Sequence, residues 1–112
     1  KDSYIKLKSM SVEFINTTHS IPDSFAIVVH TPVGVIMTTG DFKFDLTPIG
    51  PMADIHKMAE LGKKGVKLLL SDSTNALSDG FSKSESSVDE ALGDIFSKIK
   101  SRIIIATFAS NI

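Results

Sequence analysis

The segment Phe25-Ala-Ile-Val-Val-His-Thr-Pro-Val-Gly-Val-Ile-Met-Thr-Thr39 has the pattern of a β-hairpin. Two short apolar runs, rich in the β-branched residues that favour strands, flank turn residues at Thr31 to Gly34. Pro32 fixes its own φ at this corner, and Gly34 tolerates a positive φ. The pattern therefore predicts an antiparallel pair of strands near the middle of the chain, with His30 half-buried on the first strand in a structural role.

The residues on either side of this hairpin predict further regular elements. Apolar and polar residues alternate loosely from Tyr4 to Phe14, which predicts one or two strands with a break near Ser9 to Ser11. Beyond the hairpin, a helix is expected to run to Leu61 from Asp54, whose carboxylate can cap the first free amides. The expected stop signals of this helix are Gly62 and Gly65.

The C-terminal third predicts a strand, a helix and a second strand. Val66 to Leu70 is an apolar run that indicates a buried strand and ends in polar residues, where α/β proteins place ligands. Ser82 and Glu85 have the spacing of a capping box, and Ile103 to Phe108 has the β-branched composition of a strand. Between these lie apolar residues at the spacing of one helix face: Val88, Ala91, Leu92, Ile95, Phe96 and Ile99. The element order predicts an α/β fold with a mixed sheet.

The composition of the chain excludes several classes of protein and of functional site. The chain has 112 residues, 12 basic and 13 acidic, with a net charge of −1 and 42% apolar content, which fits a soluble folded unit without the positive excess of many nucleic-acid binders. The absence of cysteine excludes disulfides, thiolate metal sites and a cysteine nucleophile, and it fits the reducing cytoplasm. No apolar run reaches the ~20 residues of a membrane span, so no membrane partner is expected. Because the chain starts at Lys1 without Met and stops after a strand-like run, we expect an internal fragment.

Two strand ends carry residues that could bind a metal. His19 lies just after a predicted strand in a turn that Pro22 stiffens, so one ring nitrogen could face a metal while the other is held by a hydrogen bond. Asp41 follows Gly40 at the end of the hairpin, where its carboxylate could bridge two cations. The alternatives are a hydrogen-bonded turn histidine and a plain Gly-Asp turn.

A third strand end carries Asp72, which could orient a catalytic histidine or could simply form an Asx turn with its Ser and Thr neighbours. Lys43 and Asp45 are expected to be solvated neighbours or partners in an exposed ion pair that contributes little. A zinc site needs three or four protein ligands, so these residues alone do not define one.

Four strings of sequence carry a resemblance to a known family. They are Thr18-His-Ser-Ile-Pro-Asp-Ser24, Thr39-Gly-Asp-Phe-Lys-Phe-Asp45, Ser71-Asp-Ser-Thr-Asn-Ala76 and Ala106-Thr-Phe-Ala-Ser-Asn-Ile112. In this order they resemble successive signatures of the ribonuclease J family, in the β-CASP branch of the metallo-β-lactamase superfamily.

The resemblance implies a fold and a role for each site residue. Residues 1–80 would be the C-terminal portion of the first metallo-β-lactamase segment, part of an αββα sandwich, and 81–112 the beginning of the β-CASP domain. His19 matches a ligand of one zinc, Asp41 the aspartate that bridges both metals, and Asp72 an acidic residue beside the metal centre that pairs with a downstream histidine.

The implied parent protein is a bacterial cytoplasmic ribonuclease. It would use two Zn²⁺ ions, with Mn²⁺ or Mg²⁺ as alternatives, to hydrolyse RNA from the 5′ end and internally, and it would form homo- or hetero-oligomers with other ribonuclease J subunits. The family's His-x-His-x-Asp-His cluster, which supplies most zinc ligands, has no counterpart in this chain. We therefore expect this chain alone to be inactive and to bind zinc weakly or not at all. Two alternatives are a non-catalytic paralogue acting as a partner subunit and another metallo-β-lactamase-fold hydrolase with a small-molecule substrate.

Overall fold

The computed structural model describes residues 4–107, in which one five-stranded sheet is accompanied by two helices. The elements, in chain order, are β1 (Tyr4–Lys6), β2 (Ser11–Asn16), β3 (Phe25–Thr31), β4 (Gly34–Thr38), α1 (Ile55–Lys64), β5 (Leu68–Leu70) and α2 (Glu85–Lys98). The strands lie in sequence order across the sheet, and all pairs are antiparallel except β4 with β5, which is parallel. The predicted α/β class with a mixed sheet is confirmed.

The central hairpin forms as predicted, as β3 and β4. Its turn is closed by the Thr31 hydroxyl, which donates to the Gly34 carbonyl at 2.7 Å. Gly34 has φ +144°, and a Cβ added there would lie 2.7 Å from the side chain of Lys67, so glycine is needed at this corner. The break expected near Ser9 to Ser11 is also confirmed, since β1 and β2 are separated by residues 7–10.

The core lies between one face of the sheet and α1. Alternate residues of a strand point to the same face, which is why Ala26 and Val28 are both fully buried. Helix α1 contributes Leu61 to this cluster and packs Met58 against it. The buried apolar residues are Ile15, Ala26, Val28, Met37 and Leu61.

Helix α1 begins as predicted and ends later. The Asp54 carboxylate accepts the amide of Lys57 at 3.0 Å, so the predicted N-cap is confirmed. Gly62 was expected to stop the helix but lies inside it, because the C-cap is Gly65, whose amide donates to the Leu61 and Gly62 carbonyls. Gly65 has φ +95°, a conformation that glycine adopts without strain, so it ends the helix where Gly62 does not.

The C-terminal third departs from the prediction. Strand β5 was expected to be buried, yet its leucines are between 48% and 56% exposed, because it is an edge strand and no helix within residues 4–107 covers it. The apolar face of α2 is likewise exposed throughout the helix. Residues 103–107 form no strand, since no neighbouring strand in the described part of the chain pairs with them, and Phe108 lies outside the described residues.

The N-cap of α2 is Ser84, where the sequence predicted Ser82. The Ser84 hydroxyl donates to the Thr47 carbonyl at 2.8 Å, and it also accepts the Ser86 amide. Glu85 is therefore the first helical residue and not the third residue of a capping box.

None of the helices within residues 4–107 is long and apolar enough to cross a bilayer.

Candidate functional site

The three residues predicted at strand ends line one surface cavity of about 420 Å³. His19 follows β2, Asp41 follows β4 and Asp72 follows β5. Strands β2 and β4 both run antiparallel to β3, and β5 runs parallel to β4, so all three strands end at the same edge of the sheet. The sheet topology thus brings together residues that lie far apart in sequence.

A short bridge links the loop that carries His19 to the loop that carries Asp41. The backbone of Thr18 pairs with that of Lys43 in an isolated antiparallel bridge, in which the Lys43 amide donates to the Thr18 carbonyl at 2.8 Å. The buried Thr18 hydroxyl donates to the Lys43 carbonyl and accepts the Asp45 amide at 3.3 Å. Because an antiparallel bridge sets the residue after one partner near the residue before the other, it aligns the His19 loop with the Asp41 loop. Sequence reasoning assigned Thr18 no such structural role.

Gly40, the residue before Asp41, must be glycine because of its backbone conformation and the nearby backbone of β3. Gly40 has φ +58°, and a Cβ added there would lie 3.0 Å from the carbonyl oxygen of Phe25. The backbone that approaches Gly40 closely is therefore that of β3. Asp41 is exposed on the cavity wall.

Asp72 forms the Asx turn that was one of its two predicted roles. Its Oδ1 accepts the Thr74 hydroxyl at 2.6 Å and the Thr74 amide at 2.9 Å. These bonds lower the pKa of Asp72, and the nearby charge of His19 lowers it further. The backbone is also anchored, because the Asp72 amide donates to the Thr39 hydroxyl at 3.0 Å. Asp72 is thus a fixed carboxylate close to His19.

Lys43 and Asp45 form an ion pair, as one of the two expectations had it, but the pair is shielded from solvent where it was expected to be exposed. Their side chains are only 15% and 2% exposed, and Lys43 Nζ lies 3.6 Å from Asp45 Oδ2. Asp45 accepts the backbone amides of Glu85 at 2.8 Å and Thr47 at 3.0 Å. Chiefly because of the Glu85 amide, the pKa of Asp45 falls to about 2. Both side chains contact Glu85 at the start of α2, which contributes to shielding them from solvent.

Glu85 completes this group from the start of α2. Its carboxylate contacts Lys43 Nζ and accepts the Ser20 hydroxyl at 3.1 Å. The hydrogen bond from Lys43 is the main reason that the pKa of Glu85 is lowered. The sequence indicated Glu85 only as a helix-capping residue, since nothing local connects it with Ser20 or Lys43.

The donor set is chemically suited to zinc but incomplete. Imidazole and carboxylate are both common zinc ligands, and His19 and Asp41 provide one of each. Within residues 4–107, however, no group of three or more His, Cys, Asp or Glu side chains is arranged to hold an ion. His19 and Asp41 can therefore form only part of a coordination sphere.

Comparison with known proteins gives several relatives of high similarity. The chain is 55% identical to ribonuclease J 1 of Streptococcus pyogenes over 108 residues and 53% identical to ribonuclease J of Synechocystis over 106 residues. The chain is homologous to a segment of ribonuclease J. A ribonuclease J 2 of Staphylococcus aureus is 44% identical over 111 residues. The resemblance to ribonuclease J inferred from the four sequence strings is thus confirmed.

The match covers nearly all of the chain but a small part of each relative. It includes 94% to 98% of the chain and only 17% to 20% of the three ribonucleases J. Among solved structures, a protein of unknown function from Enterococcus faecalis aligns with a TM-score of 0.63 at 18% identity, over 88% of this chain and 24% of that protein. This likeness supports the fold alone. No protein-family model matches the chain.

Proposed function

We propose that this chain is the segment of a longer metal-dependent ribonuclease that supplies His19 and Asp41 as metal ligands and Asp72 beside them. One observation carries the proposal: these residues come from three separate strand ends and line one cavity. The relatives are named ribonuclease J, which supports RNA as the substrate class.

Each residue has a role that its surroundings support. Asp72 stays ionised because Thr74 donates to it, and it lies near enough to His19 for the two charges to interact. Asp41 is exposed and lines the cavity, so its carboxylate would be accessible to a cation. The Thr18 and Lys43 bridge holds the two loops in register, so that His19 and Asp41 are presented together.

Two Zn²⁺ ions, or Mn²⁺ or Mg²⁺ in their place, would supply the hydrolytic chemistry when bound, by activating water and by stabilising the charge that develops on a phosphodiester. The remaining ligands would come from other parts of the full-length protein. This chain alone would therefore bind zinc weakly and leave RNA intact.

The proposal extends to architecture and setting. Residues 1–80 would end the first metallo-β-lactamase segment and 81–112 would begin the β-CASP domain. The full-length protein would act in the bacterial cytoplasm on RNA, both from the 5′ end and internally, in an assembly of ribonuclease J subunits.

The test is Asp41→Ala in the full-length protein that contains this segment, with zinc content and RNA hydrolysis both measured. We expect bound zinc to fall and hydrolysis to drop by roughly a hundredfold or more. Asp89→Ala, which changes an exposed aspartate on α2, is the matched control and should leave both unchanged. Unchanged turnover and zinc content in the Asp41 variant would refute the proposal. A wild-type protein that folds but hydrolyses no RNA would instead favour the non-catalytic paralogue.

A further inference from the structure

The carboxylate of Glu85 contacts both loops that carry the proposed metal ligands. Its Oε1 accepts the hydroxyl of Ser20, the residue after His19, at 3.1 Å. The same carboxylate contacts Nζ of Lys43, which is two residues beyond Asp41. We call Ser20, Lys43, Asp45 and Glu85 the Glu85 clamp. It connects the start of α2 to the His19 loop and the Asp41 loop at once.

The clamp is shielded from solvent to a degree unusual for charged side chains. The exposed fractions of its charged side chains are 15% for Lys43, 2% for Asp45 and 24% for Glu85. Lysine, aspartate and glutamate rarely lie inside a protein unless they are paired. A buried ion pair also contributes less to stability than its contacts suggest, because both charges lose hydration. Stability alone is therefore a weak explanation for placing these charges beside the cavity.

Further hydrogen bonds tie the clamp to its surroundings. Asp45 holds the start of α2 by accepting the Glu85 amide at 2.8 Å, and its other oxygen is occupied by the Thr47 amide. Lys43 Nζ donates to the Lys83 carbonyl at 3.2 Å as well as to Glu85. With so many directed bonds, neither Lys43 nor Glu85 can move without breaking others. A group that must hold ligands to within about 0.5 Å needs this kind of support.

We propose that the Lys43 and Glu85 pair is a positioning device that sets the spacing between His19 and Asp41 for metal binding. It touches neither substrate nor metal and acts through the two loops. This inference rests on the proposed function, because it assumes that His19 and Asp41 are metal ligands. It adds that helix α2, in the proposed second domain, takes part in forming the metal site of the first.

The experiment measures zinc affinity of the full-length protein by competition with a chromophoric chelator, together with kcat and KM for RNA. Glu85→Gln and Lys43→Met each remove the charge pairing. We expect zinc affinity to fall by roughly tenfold to a hundredfold, the effect typical of residues that orient metal ligands. At subsaturating zinc kcat should fall, KM for RNA should stay constant, and added zinc should restore kcat. Asp94→Asn and Lys98→Met remove an exposed ion pair on the same helix and should change none of these values.

Ser20→Ala provides a variant with a smaller structural effect. It removes only the hydroxyl bond to Glu85, so we expect a several-fold loss of zinc affinity at an unchanged unfolding temperature. If the clamp variants that fold retain wild-type zinc affinity, or lose activity only in proportion to thermal stability, the positioning role is refuted. The proposed function has its own tests, the Asp41→Ala variant and RNA hydrolysis by the wild-type protein, and neither depends on the clamp variants.

Discussion

The carboxylate of Asp45 accepts the backbone N–H of Glu85 at 2.8 Å, across a separation of 40 positions. Helix N-termini are usually capped by the residue that precedes them. Here Ser84 provides that local cap and Asp45 adds a second one from a distant loop. The start of α2 is therefore fixed by tertiary structure, next to the proposed metal site.

This contact predicts a pH dependence. The folded-state pKa of Asp45 is about 2, below its ordinary 3.8, so its ionised form stabilises the fold above about pH 4. That contribution is lost as the pH falls from about 4 to about 2. We expect Asp45→Asn to flatten the decline of the unfolding temperature across this window, relative to wild type. Parallel curves for the two proteins would contradict the prediction.

Two glycines predict opposite responses to alanine. Gly40→Ala should destabilise the fold by about 1 to 2 kcal/mol, because a positive φ disfavours alanine and the new Cβ would crowd the Phe25 carbonyl. Gly62→Ala should stabilise it by about 0.5 to 1 kcal/mol, because Gly62 lies inside α1 with open space around it. Denaturant unfolding measures both, and the same sign for the two variants would refute the assignment.

The ion pair between Glu13 of β2 and Lys57 of α1 is expected to have a modest coupling energy. Glu13 pairs with His30 at 3.0 Å and with Lys57 of α1. Burial raises the pKa of Glu13, but hydrogen bonds from Lys57 and His30 outweigh it, so the pKa lies below its usual range. A double-mutant cycle of Glu13→Gln and Lys57→Met should give a coupling of about 0.5 to 1 kcal/mol, limited by the partial exposure of Lys57. A coupling of zero would show that the pair does not join α1 to the sheet.

The Asx turn at Asp72 predicts that the pKa of this carboxylate depends on Thr74. Thr74→Val removes the hydroxyl bond that is the main cause of the lowered pKa of Asp72, while the backbone amide bond remains. We expect the pKa of Asp72 to rise toward its ordinary value in the metal-free protein, as followed by carboxyl ¹³C NMR. Ser78→Ala, at an exposed serine nearby, should leave that pKa unchanged. An unchanged pKa in the Thr74 variant would refute this cause.

Local signals account for the parts of the fold that the sequence predicted. The hairpin turn and the Asp54 cap depend on residues within a few positions of one another, so they are readable without tertiary structure. The ends of the strands were readable because polar residues follow apolar runs there. That is why His19, Asp41 and Asp72 could be selected before their common cavity was known.

The remaining features depend on partners that are distant or lie outside the described residues. The burial of Lys43 and Asp45 follows from the docking of Glu85, 42 and 40 positions away. An amphipathic pattern shows which face of α2 is apolar but not what covers it. The exposure of that face, and of the β5 leucines, could therefore not be predicted from the sequence. Residues 103–107 have the composition of a strand, but no strand in the described part of the chain pairs with them, and composition alone does not form a sheet.

The contacts that form the sheet and those that form the cavity join residues at different separations along the chain. Strands β1 to β4 pair with their immediate neighbours in sequence, whereas the cavity depends on Thr18 meeting Lys43, 25 positions away, and on Ser20 meeting Glu85, 65 positions away. Longer loops cost more entropy to close and slow the contacts that need them. We expect the meander of strands to form early during folding and the proposed ligand loops to reach their final spacing last. On the ribosome, strands β1 to β4 would thus pair before the proposed metal site could form.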